Sequence, residues 1–252
     1  MKILGIIPAR YASTRFPGKP LADVNGKPMI QRVYEQAKKC KSLAEVIVAT
    51  DDKRIESAVK KFKAKVVMTS SKHESGTDRC YEALNKLGGK YDVVINIQGD
   101  EPFIHPEQIE EVANCFSPLS PGRGVGGEAQ LATLVMKLKS QEELSNPNTI
   151  KAIINKKNEA IYFSRTAIPY YRGKDFSGWV KLHSYYKHIG IYGYRTDVLA
   201  EITKLKRSPL EIAESLEQLR WLENGYKIKV EFTEYESYSI DTPEDLKKIV
   251  EK

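Results

Sequence analysis

The sequence predicts an α/β fold in which helices cover both faces of a mostly parallel sheet, the three-layer doubly wound or Rossmann-like arrangement. Three observations predict it. Short apolar runs alternate with segments of helical length through the first hundred residues, the pattern of repeated βα units. The 252 residues are enough to bury one large core. Polar loops that contain glycine follow the first and fourth apolar runs, at strand ends where such sheets bind ligands.

The first half of the chain contains four predicted strands and three predicted helices. The strands are KILGIIP (2–8), EVIVATD (45–51), KVVMT (65–69) and YDVVINIQ (91–98). The helices span residues 28–39, 52–61 and 77–87, and Gly88 and Gly89 end the third. Because right-handed crossovers commonly give the strand order 3-2-1-4, we expect the first and fourth strands to be neighbours.

The second half mixes strands and helices without regular alternation. SPLSPGRGVGGEA (117–129) is rich in proline and glycine and predicts a mobile surface excursion. The predicted strands lie in AQLATLVMKL (129–138), in a hairpin within TIKAIINKKNEAIYFSR (149–165), and in KHIGIYGYR (187–195), YKIKVEFTE (226–234) and YSI (238–240). We expect residues 1–252 to form a single domain, in which an insertion over roughly 130–230 covers one side of the sheet.

Two helices are predicted from capping signals near the carboxyl terminus. In SPLEIAESLEQLRWLENG (208–225), Ser208 is the predicted N-cap, Pro209 the first helical residue and Glu211 the partner in a capping box. Gly225 is the stop signal, so one long helix is expected. DTPEDLKKIVEK (241–252) predicts a capped terminal helix.

Composition argues against several classes of protein. No apolar stretch approaches the length of a membrane span. The net charge of +7 is spread through lysine-rich helices, which favours anionic ligands weakly and nucleic acid only faintly. Cys40, Cys80 and Cys115 are odd in number and lack metal-ligand spacing. They indicate reduced thiols in a cytoplasmic protein and no zinc site.

The loop PARYASTRFPGK (8–19) follows the first strand and matches neither the dinucleotide-binding nor the P-loop glycine pattern. It carries three cations, Arg10, Arg15 and Lys19, with the hydroxyl of Ser13 between them. Cations spaced along one flexible strap can follow the oxygens of a triphosphate, which predicts a nucleotide-binding strap. The alternative is an ordinary solvated surface loop. The position of the loop at a strand end favours the first interpretation.

Two acidic residues are candidate ligands for Mg²⁺. Asp100 in QGDEP (98–102) ends the fourth strand and should therefore face the strap. Asp241 in IDTPED also sits where a strand gives way to a helix. Magnesium is commonly held by one or two carboxylates together with phosphate oxygens. For Asp241 an ordinary helix N-cap is an equal alternative on the sequence alone.

The motifs resemble a known family. IIPARYASTRFPGKPL, HESGTDR, NIQGDEP, NPN, YFSR, KHIGIYGYR, SPLEIAESLEQLR and DTPEDL occur in this order between Ile6 and Leu246. Together they resemble the 3-deoxy-manno-octulosonate cytidylyltransferases, or CMP-Kdo synthetases. The opening strap fits the wider class of sugar nucleotidyltransferases, and the later motifs narrow the resemblance to Kdo. The stretch 117–129 looks longer than is usual in this family.

The resemblance implies a nucleotidyltransferase fold and a reaction. CTP and Kdo would give CMP-Kdo and pyrophosphate with Mg²⁺ as cofactor, in a cytoplasmic homodimer that serves lipopolysaccharide biosynthesis. The anomeric hydroxyl of Kdo would attack the α-phosphorus in line, so catalysis would depend mainly on alignment and charge neutralisation. No side chain stands out as a general base, which favours activation of the hydroxyl by the metal.

The resemblance also implies roles for individual residues. The catalytic set is Arg10, Lys19, Asp100 and Asp241, and the last two would hold the metal. The set expected to bind CTP is Pro8, Ala9, Arg10, Ser13, Arg15, Lys19, Ser75, Gly76 and Arg79. The set expected to bind the sugar is Gln98, Arg165, His188, Tyr192, Glu211 and Gln218.

Each of these assignments has a structural alternative. The segment around Ser75 could simply cap the following helix, and Glu211 could act only in its capping box. His188 and Tyr192 could be core residues, and Gln218 could lie on a solvated helix face.

Two other functions remain open on the sequence. A CMP-transferase for an amino variant of Kdo or for another nonulosonic acid would keep the chemistry and change the sugar. A basic RNA-binding module without chemistry is disfavoured, because the cations lack interleaved aromatic residues and acidic loops would repel a phosphate backbone. We therefore expect small-molecule partners, with no nucleic acid and no membrane.

Overall fold

The computed structural model of the chain describes residues 1–13, 15–117, 129–236 and 238–250. In chain order the strands are β1 (Ile3–Ala9), β2 (Asp23–Val24), β3 (Lys27–Pro28), β4 (Leu43–Thr50), β5 (Lys65–Met68), β6 (Val93–Asn96), β7 (Leu131–Lys137), β8 (Lys151–Ile154), β9 (Ala160–Ser164), β10 (Tyr186–Arg195) and β11 (Ile228–Phe232). The α-helices are α1 (Met29–Ala37), α2 (Lys53–Lys61), α3 (Gly76–Leu87), α4 (Pro106–Asn114), α5 (Gln141–Ser145), α6 (Trp179–Leu182), α7 (Thr196–Ile202), α8 (Pro209–Glu214), α9 (Glu217–Glu223) and α10 (Pro243–Val250). Short 3₁₀ helices span Lys19–Leu21 and Phe176–Gly178.

Most of the strands form one large sheet. Its main path runs β11-β7-β10-β6-β1-β4-β5, and β8 and β9 extend it from β10. The first four predicted strands are β1, β4, β5 and β6, and they pair in parallel in the predicted order 3-2-1-4. The prediction that the first and fourth strands are neighbours is therefore confirmed.

The second half of the chain extends the same sheet. β10 pairs antiparallel with β6 on one side and with β7 on the other, and β11 then adds in parallel to β7. The predicted hairpin forms between β8 and β9. The region over roughly 130–230 was expected to cover one side of the sheet, but β7 to β11 supply five strands from it to the sheet itself. Of the predicted surface excursion over 117–129, residues 118–128 lie outside the described residues.

Two hydrophobic clusters sandwich the sheet. Side chains alternate between faces along a strand, so Ile6 and Ile7 of β1 enter different clusters, and both are fully buried. One cluster packs against α1, α2 and α4, and the other against α3, α7 and α9. Burial on both faces explains why these parallel strands read as continuous apolar runs. The predicted α/β three-layer fold is confirmed.

The structure corrects the prediction of one long helix over 208–225. The capping box forms as expected, because the Ser208 side chain accepts from the Glu211 amide and Glu211 accepts from the Ser208 amide. The helix then ends at Glu214, because Ser215 adopts a left-handed conformation with φ of 52°. α9 begins two residues later and directs Leu219 and Trp221 into the core. Apolar spacing alone did not reveal this turn.

The segment before the terminal helix also differs from the prediction. Residues 238–240 form no strand, and the amide of Ile240 instead donates to the carbonyl of Asp100 at 2.9 Å. The terminal helix is present as predicted, and the Thr242 hydroxyl accepts from the Asp245 amide as its cap. No helix in the described ranges is long and apolar enough to cross a membrane. The three cysteines are free thiols.

Candidate active site

A cleft of about 270 Å³ opens at the carboxyl ends of β1 and β6. Its lining includes the predicted residues Pro8, Ala9, Arg10, Ser13, Arg15, Lys19, Ser75, Gly76, Arg79, Gln98, Asp100 and Asp241. Four further residues that the sequence analysis did not single out are Pro20, His73, Glu74 and Gly99. His73 and Glu74 directly precede Ser75 in the HESGTDR motif, so the motif itself is a signal for them. The cleft thus gathers segments from four distant parts of the chain.

The strap after β1 is a closed loop that directs Lys19 inwards. Gly18 has a φ of +74° and donates its amide to the carbonyl of Tyr11 at 2.9 Å. A side chain here would strain the backbone, and its Cβ would lie 3.0 Å from the Tyr11 ring. The chain then enters the 3₁₀ helix at Lys19, whose side chain is only 15% exposed. The loop therefore orders one cation at the bottom of the strap.

Lys19 lies between the two predicted metal ligands. Its Nζ donates to Asp100 Oδ2 at 2.7 Å and to Asp241 Oδ1 at 3.2 Å. Arg15 also reaches Asp241 Oδ1 at 3.2 Å, with a side chain that is 68% exposed. Arg10 is exposed and has no ionic partner in the part of the chain that the structure describes. Two cations of the strap are thus held by carboxylates, and the third is available to an anionic ligand.

Local backbone contacts explain why the two carboxylates converge. Gly99 lies so close to β1 that a Cβ would come within 2.8 Å of the carbonyl oxygen of Pro8. This close approach brings the Asp100 loop onto the strap. The bond from Ile240 to the Asp100 carbonyl fixes the second acidic loop against the first. Because Thr242 supplies the cap of α10, the side chain of Asp241 is left to face the cleft.

Asp100 and Asp241 fit a divalent cation in part. Both present hard carboxylate oxygens, the ligands that Mg²⁺ prefers, and both already surround one positive charge. No group of three or more His, Cys, Asp or Glu side chains that could hold a metal occurs among the residues described. Phosphate oxygens and water would therefore have to complete the coordination, as is usual for magnesium bound with a nucleotide.

The N-terminus of α3 forms one wall of the cleft. The hydroxyl of Ser75 caps the helix by accepting from the Asp78 amide at 3.1 Å, so the capping alternative holds for this residue as well. Arg79 is only 3% exposed, and it donates to Thr69 Oγ1 at 2.6 Å and to Asp51 Oδ2 at 3.2 Å. Arg79 is thus fixed within the wall by two partners, while Ser75 and Gly76 lie at its surface.

The six predicted sugar-binding residues are not all in this cleft. Among the described residues of that set, Gln98 alone lines it. His188 and Tyr192 lie on β10 with their rings 5.2 Å apart, and Tyr192 also packs edge-on against Trp221. Burial lowers the pKa of His188 to about 3, so its imidazole is neutral at pH 7. Gln218 is buried on α9.

Glu211 and Arg165 are engaged by other groups of the protein. Arg220 donates to both carboxylate oxygens of Glu211 at 2.7 Å, and both side chains are almost completely buried. Burial alone would raise the pKa of Glu211, but the hydrogen bonds from Arg220 outweigh it and lower that pKa. Arg165 donates to the carbonyl oxygens of Glu214 at 2.6 Å and Pro147 at 3.1 Å.

A second cavity adjoins the first and contains an acidic residue that the sequence analysis missed. Glu217 lines it together with Ser75, Gly76 and Glu211, and the two cavities share the N-terminus of α3. Glu217 Oε2 accepts from the Thr77 hydroxyl at 2.9 Å, and burial raises the pKa of its carboxyl. Glu217 could have been identified from the sequence by its position beside Gln218 in the LEQLR motif.

The comparisons with known proteins agree on one enzyme family. A family model described as cytidylyltransferase matches residues 4–228. The 3-deoxy-manno-octulosonate cytidylyltransferase of Parabacteroides distasonis is 62% identical over 98% of this chain and 96% of its own length. The enzyme of the same name from Bacteroides thetaiotaomicron is 59% identical, also over 98% of this chain and 96% of its own length.

Solved structures show the same relationship. A CMP:2-keto-3-deoxy-manno-octonic acid synthetase complexed with CTP superposes with a TM-score of 0.89 at 43% identity, over 100% of this chain and 98% of its own. A 4-diphosphocytidyl-2C-methyl-D-erythritol synthase from Anaerococcus prevotii has a TM-score of 0.62 at 16% identity, over 99% of this chain and 97% of its own. At that identity the second match shows a common fold only.

Proposed function

Since the chain belongs to the 3-deoxy-manno-octulosonate cytidylyltransferase family, we propose that the cleft between β1, β6 and α3 is the site of its reaction. The enzyme transfers CMP from CTP to 3-deoxy-manno-octulosonate (Kdo) and releases pyrophosphate. The observation that carries the assignment of the site is the convergence of Lys19, Asp100 and Asp241 from three distant segments.

The strap is proposed to bind the triphosphate. Lys19 offers a partly buried ammonium at the base of the cleft, and Arg10 and Arg15 offer exposed guanidinium groups at its rim. Ser13 can add a hydroxyl donor. A triphosphate carries several negative charges, and charge-assisted hydrogen bonds to its oxygens are stronger than neutral ones. When the nucleotide binds, its negative charge would neutralise the strap cations that are now paired with carboxylates.

Asp100 and Asp241 are proposed to hold a magnesium ion. An Mg²⁺ ion held there would neutralise phosphate charge and would make the attacking hydroxyl group more acidic. The two aspartates bring oxygen ligands from two distant segments of the chain, and the contacts with Lys19 orient both carboxylates. Their convergence around one ammonium supports this assignment, because a second cationic ligand can use the same oxygens.

The chain contributes to catalysis mainly by alignment. Phosphoryl-type transfer needs the attacking hydroxyl in line with the leaving pyrophosphate, and positioning of this kind can supply a large part of the rate enhancement. Cations of the strap stabilise the charge that develops on the leaving group. Pro8, Ala9, Ser75 and Gly76 are proposed to contact the cytosine, and Arg79 supports them by tying the wall to Asp51 and Thr69.

The acceptor is proposed to bind where the cleft meets β10 and α9. Gln98 lines the cleft, and His188, Tyr192 and Gln218 are proposed to contact Kdo hydroxyl groups from the adjoining strand and helix. Glu217 is added to this set because it lines the second cavity. Glu211 and Arg165 are proposed to shape this region indirectly, through the ion pair with Arg220 and the carbonyl contacts at 147 and 214.

We also propose that the enzyme acts as a cytoplasmic homodimer in lipopolysaccharide biosynthesis. Support for the dimer comes from large apolar side chains exposed in the second half of the chain. Tyr170, Ile212 and Ile161 are 75%, 60% and 55% exposed. Contiguous exposed apolar patches mark surfaces that a partner covers, and these three side chains are candidates for such a patch.

The test is release of pyrophosphate. The protein is incubated with Mg²⁺ and Kdo and with CTP, ATP, GTP or UTP in turn, and then with CTP and either a nonulosonic acid or an amino variant of Kdo. We expect release with CTP and Kdo only. Release that is faster with a nonulosonic acid or amino-Kdo would overturn the choice of sugar, and equal release with all four nucleotides would overturn the choice of CTP.

A further inference from the structure

β10 contains a β-bulge next to the proposed acceptor site. Ile189 pairs with Leu134 of β7, but Tyr192 pairs with Thr133, the very next residue of β7. Gly190 and Ile191 are therefore extra residues opposite β7 in the described sheet. Bulges of this kind bend a strand and re-aim side chains, and they are common beside active sites. Here the bulge places Gly190 beside Gln98, and a Cβ at Gly190 would make an ordinary van der Waals contact of 3.7 Å with Gln98 Cγ.

The side chain of Thr133 holds this bulge together. Thr133 is completely buried, and its hydroxyl oxygen contacts three polar groups of β10. The distances from Oγ1 are 2.8 Å to the carbonyl oxygen of Ile191, 3.3 Å to that of Ile189 and 2.9 Å to Nε2 of His188. One hydroxyl group therefore links the bulge backbone to the imidazole of His188.

Counting protons assigns a direction to these contacts. A threonine hydroxyl has one proton to donate, whereas carbonyl oxygens can only accept. All three contacts are hydrogen bonds only if Thr133 shares its one proton between the two carbonyls, mainly that of Ile191 at 2.8 Å, and accepts from an N–H on His188 Nε2. A neutral imidazole carries a single N–H, so its Nδ1 is then an acceptor. Burial lowers the pKa of His188 to about 3, which agrees with a neutral ring.

We propose that Thr133 is a positioning residue that fixes His188 in the Nε2–H tautomer, so that Nδ1 accepts a hydrogen bond from a hydroxyl group of the acceptor sugar. The proposal rests on the proposed function, because it takes His188 to be an acceptor-binding residue. The imidazole is also held by Phe163 and Tyr192, whose ring centroids lie 5.1 and 5.2 Å away. A fixed acceptor favours a ligand rich in hydroxyl donors.

The tautomer is tested first, without substrate. The protein is labelled with ¹⁵N-histidine, and the ring nitrogens are observed by NMR at pH 7. The chain has four histidines, and His188→Gln identifies the resonances of His188. We expect a protonated Nε2 and an unprotonated Nδ1 in the wild type and in Thr133→Ser, and a mixture of tautomers in Thr133→Val. A wild-type ring protonated on Nδ1 would overturn the proposal.

The consequence for binding is tested by kinetics. Loss of one oriented hydrogen bond is expected to raise the KM for Kdo about tenfold in Thr133→Val, while the KM for CTP and kcat change less than about twofold. Thr133→Ser should restore the wild-type KM. The matched control is Thr196→Val, which removes a hydroxyl bond to the Tyr91 carbonyl at the far end of β10 and should leave both KM values unchanged.

Several outcomes contradict the proposal. Equal changes in the KM for CTP and for Kdo would reduce Thr133 to a structural residue, and so would a serine variant that behaves like the valine variant. If Thr133→Val does not fold, the wild-type and serine spectra still decide the tautomer. Absence of pyrophosphate release by the wild type with CTP and Kdo would overturn the proposed function itself, whereas the substrate-free spectra judge the link between Thr133 and His188 independently.

Discussion

Lys19 Nζ lies 2.7 Å from Asp100 Oδ2, although 81 residues separate the two in the sequence. The contact exists because the strap after β1 and the loop after β6 leave neighbouring parallel strands at the same edge of the sheet. Asp241 joins the same ammonium at 3.2 Å, so two carboxylates share one positive charge. This arrangement leads to the first two predictions.

Replacement of Lys19 by alanine is expected to lower kcat/KM for CTP by about a hundredfold or more. The partly buried ammonium is proposed to stabilise the phosphates and to orient both aspartates, and loss of one such group commonly costs this much. Initial rates of pyrophosphate release measure the effect. Lys27→Ala is the matched control, because Lys27 pairs with the half-exposed Glu35 outside the cleft. An unchanged kcat/KM in Lys19→Ala would mean that the strap is ordinary surface.

Asp100→Asn is expected to reduce turnover by a factor of about 100 or more while CTP binding without a divalent ion changes little. An amide keeps the shape of the side chain but is a weaker ligand for Mg²⁺, so the loss falls on the step that needs the metal. Turnover and calorimetric titration with CTP in chelator separate the two effects. Asp92→Asn is the control, because Asp92 lies at the opposite end of β6 and binds the amide of Lys2. Near-normal turnover of Asp100→Asn would remove Asp100 from the site.

Breaking the ion pair between Glu211 and Arg220 is expected to destabilise the fold strongly. Arg220→Ala leaves a buried carboxylate without its partner, which costs about 3 kcal/mol and lowers the melting temperature by roughly 6 °C or more. Arg207→Ala should have little effect, because Arg207 is 54% exposed and lies 3.6 Å from the same carboxylate. Thermal melts measure both. If Glu211→Gln raises the KM for Kdo without a change in melting temperature, Glu211 contacts the sugar directly.

Replacement of two adjacent glutamates of α4 by glutamine is expected to change the stability of the fold in opposite directions. Glu110 is partly buried, which would raise its pKa, but bonds from the Ser42 side chain and the amides of Lys41 and Ser42 outweigh burial and lower it. Burial raises the pKa of Glu111, and nearby carboxylates raise it further. Glu110→Gln should therefore lower the melting temperature at pH 7, and Glu111→Gln should raise it by about 2 °C.

The pH dependence of the two variants follows from the directions of the two pKa shifts. The stabilisation by Glu110 is present above the ordinary carboxyl pKa and is lost as the pH falls towards its lower folded value. The destabilisation of the fold by ionised Glu111 is absent at low pH. It develops as the pH rises above the ordinary carboxyl pKa. Thermal melts between pH 4 and pH 8 should show that the difference in melting temperature between each variant and the wild type becomes smaller as the pH falls. A Glu111→Gln variant that is less stable at pH 7 contradicts this account.

The sequence revealed the parts of the fold that repeat. Alternation of apolar runs and helical segments predicted β1, β4, β5 and β6 and their order, because each βα unit constrains the next. The same order predicted that Lys19 and Asp100 would face each other. Capping signals predicted the start of α8 at Pro209, since a serine, a proline and a glutamate at fixed spacing act locally.

Features that depend on distant contacts could not be predicted in this way. The left-handed turn at Ser215 interrupts a region whose composition favours helix throughout, and the burial of Leu216 accompanies it. Arg220 and Glu211 find each other only because that turn folds α9 back on α8. The antiparallel insertion of β10 between β6 and β7 likewise has no local signature, so the position of His188 and Tyr192 became visible only in three dimensions.

The bond from the Ile240 amide to the Asp100 carbonyl has a consequence for biosynthesis. Among the described residues β11 is the last strand in chain order, so a ribosome that has synthesised the chain as far as Phe232 has already made each of the described strands. Asp241 and the brace on the Asp100 loop emerge only afterwards. A polypeptide interrupted soon after Phe232 would therefore contain all of the described strands and still lack the proposed metal ligand Asp241.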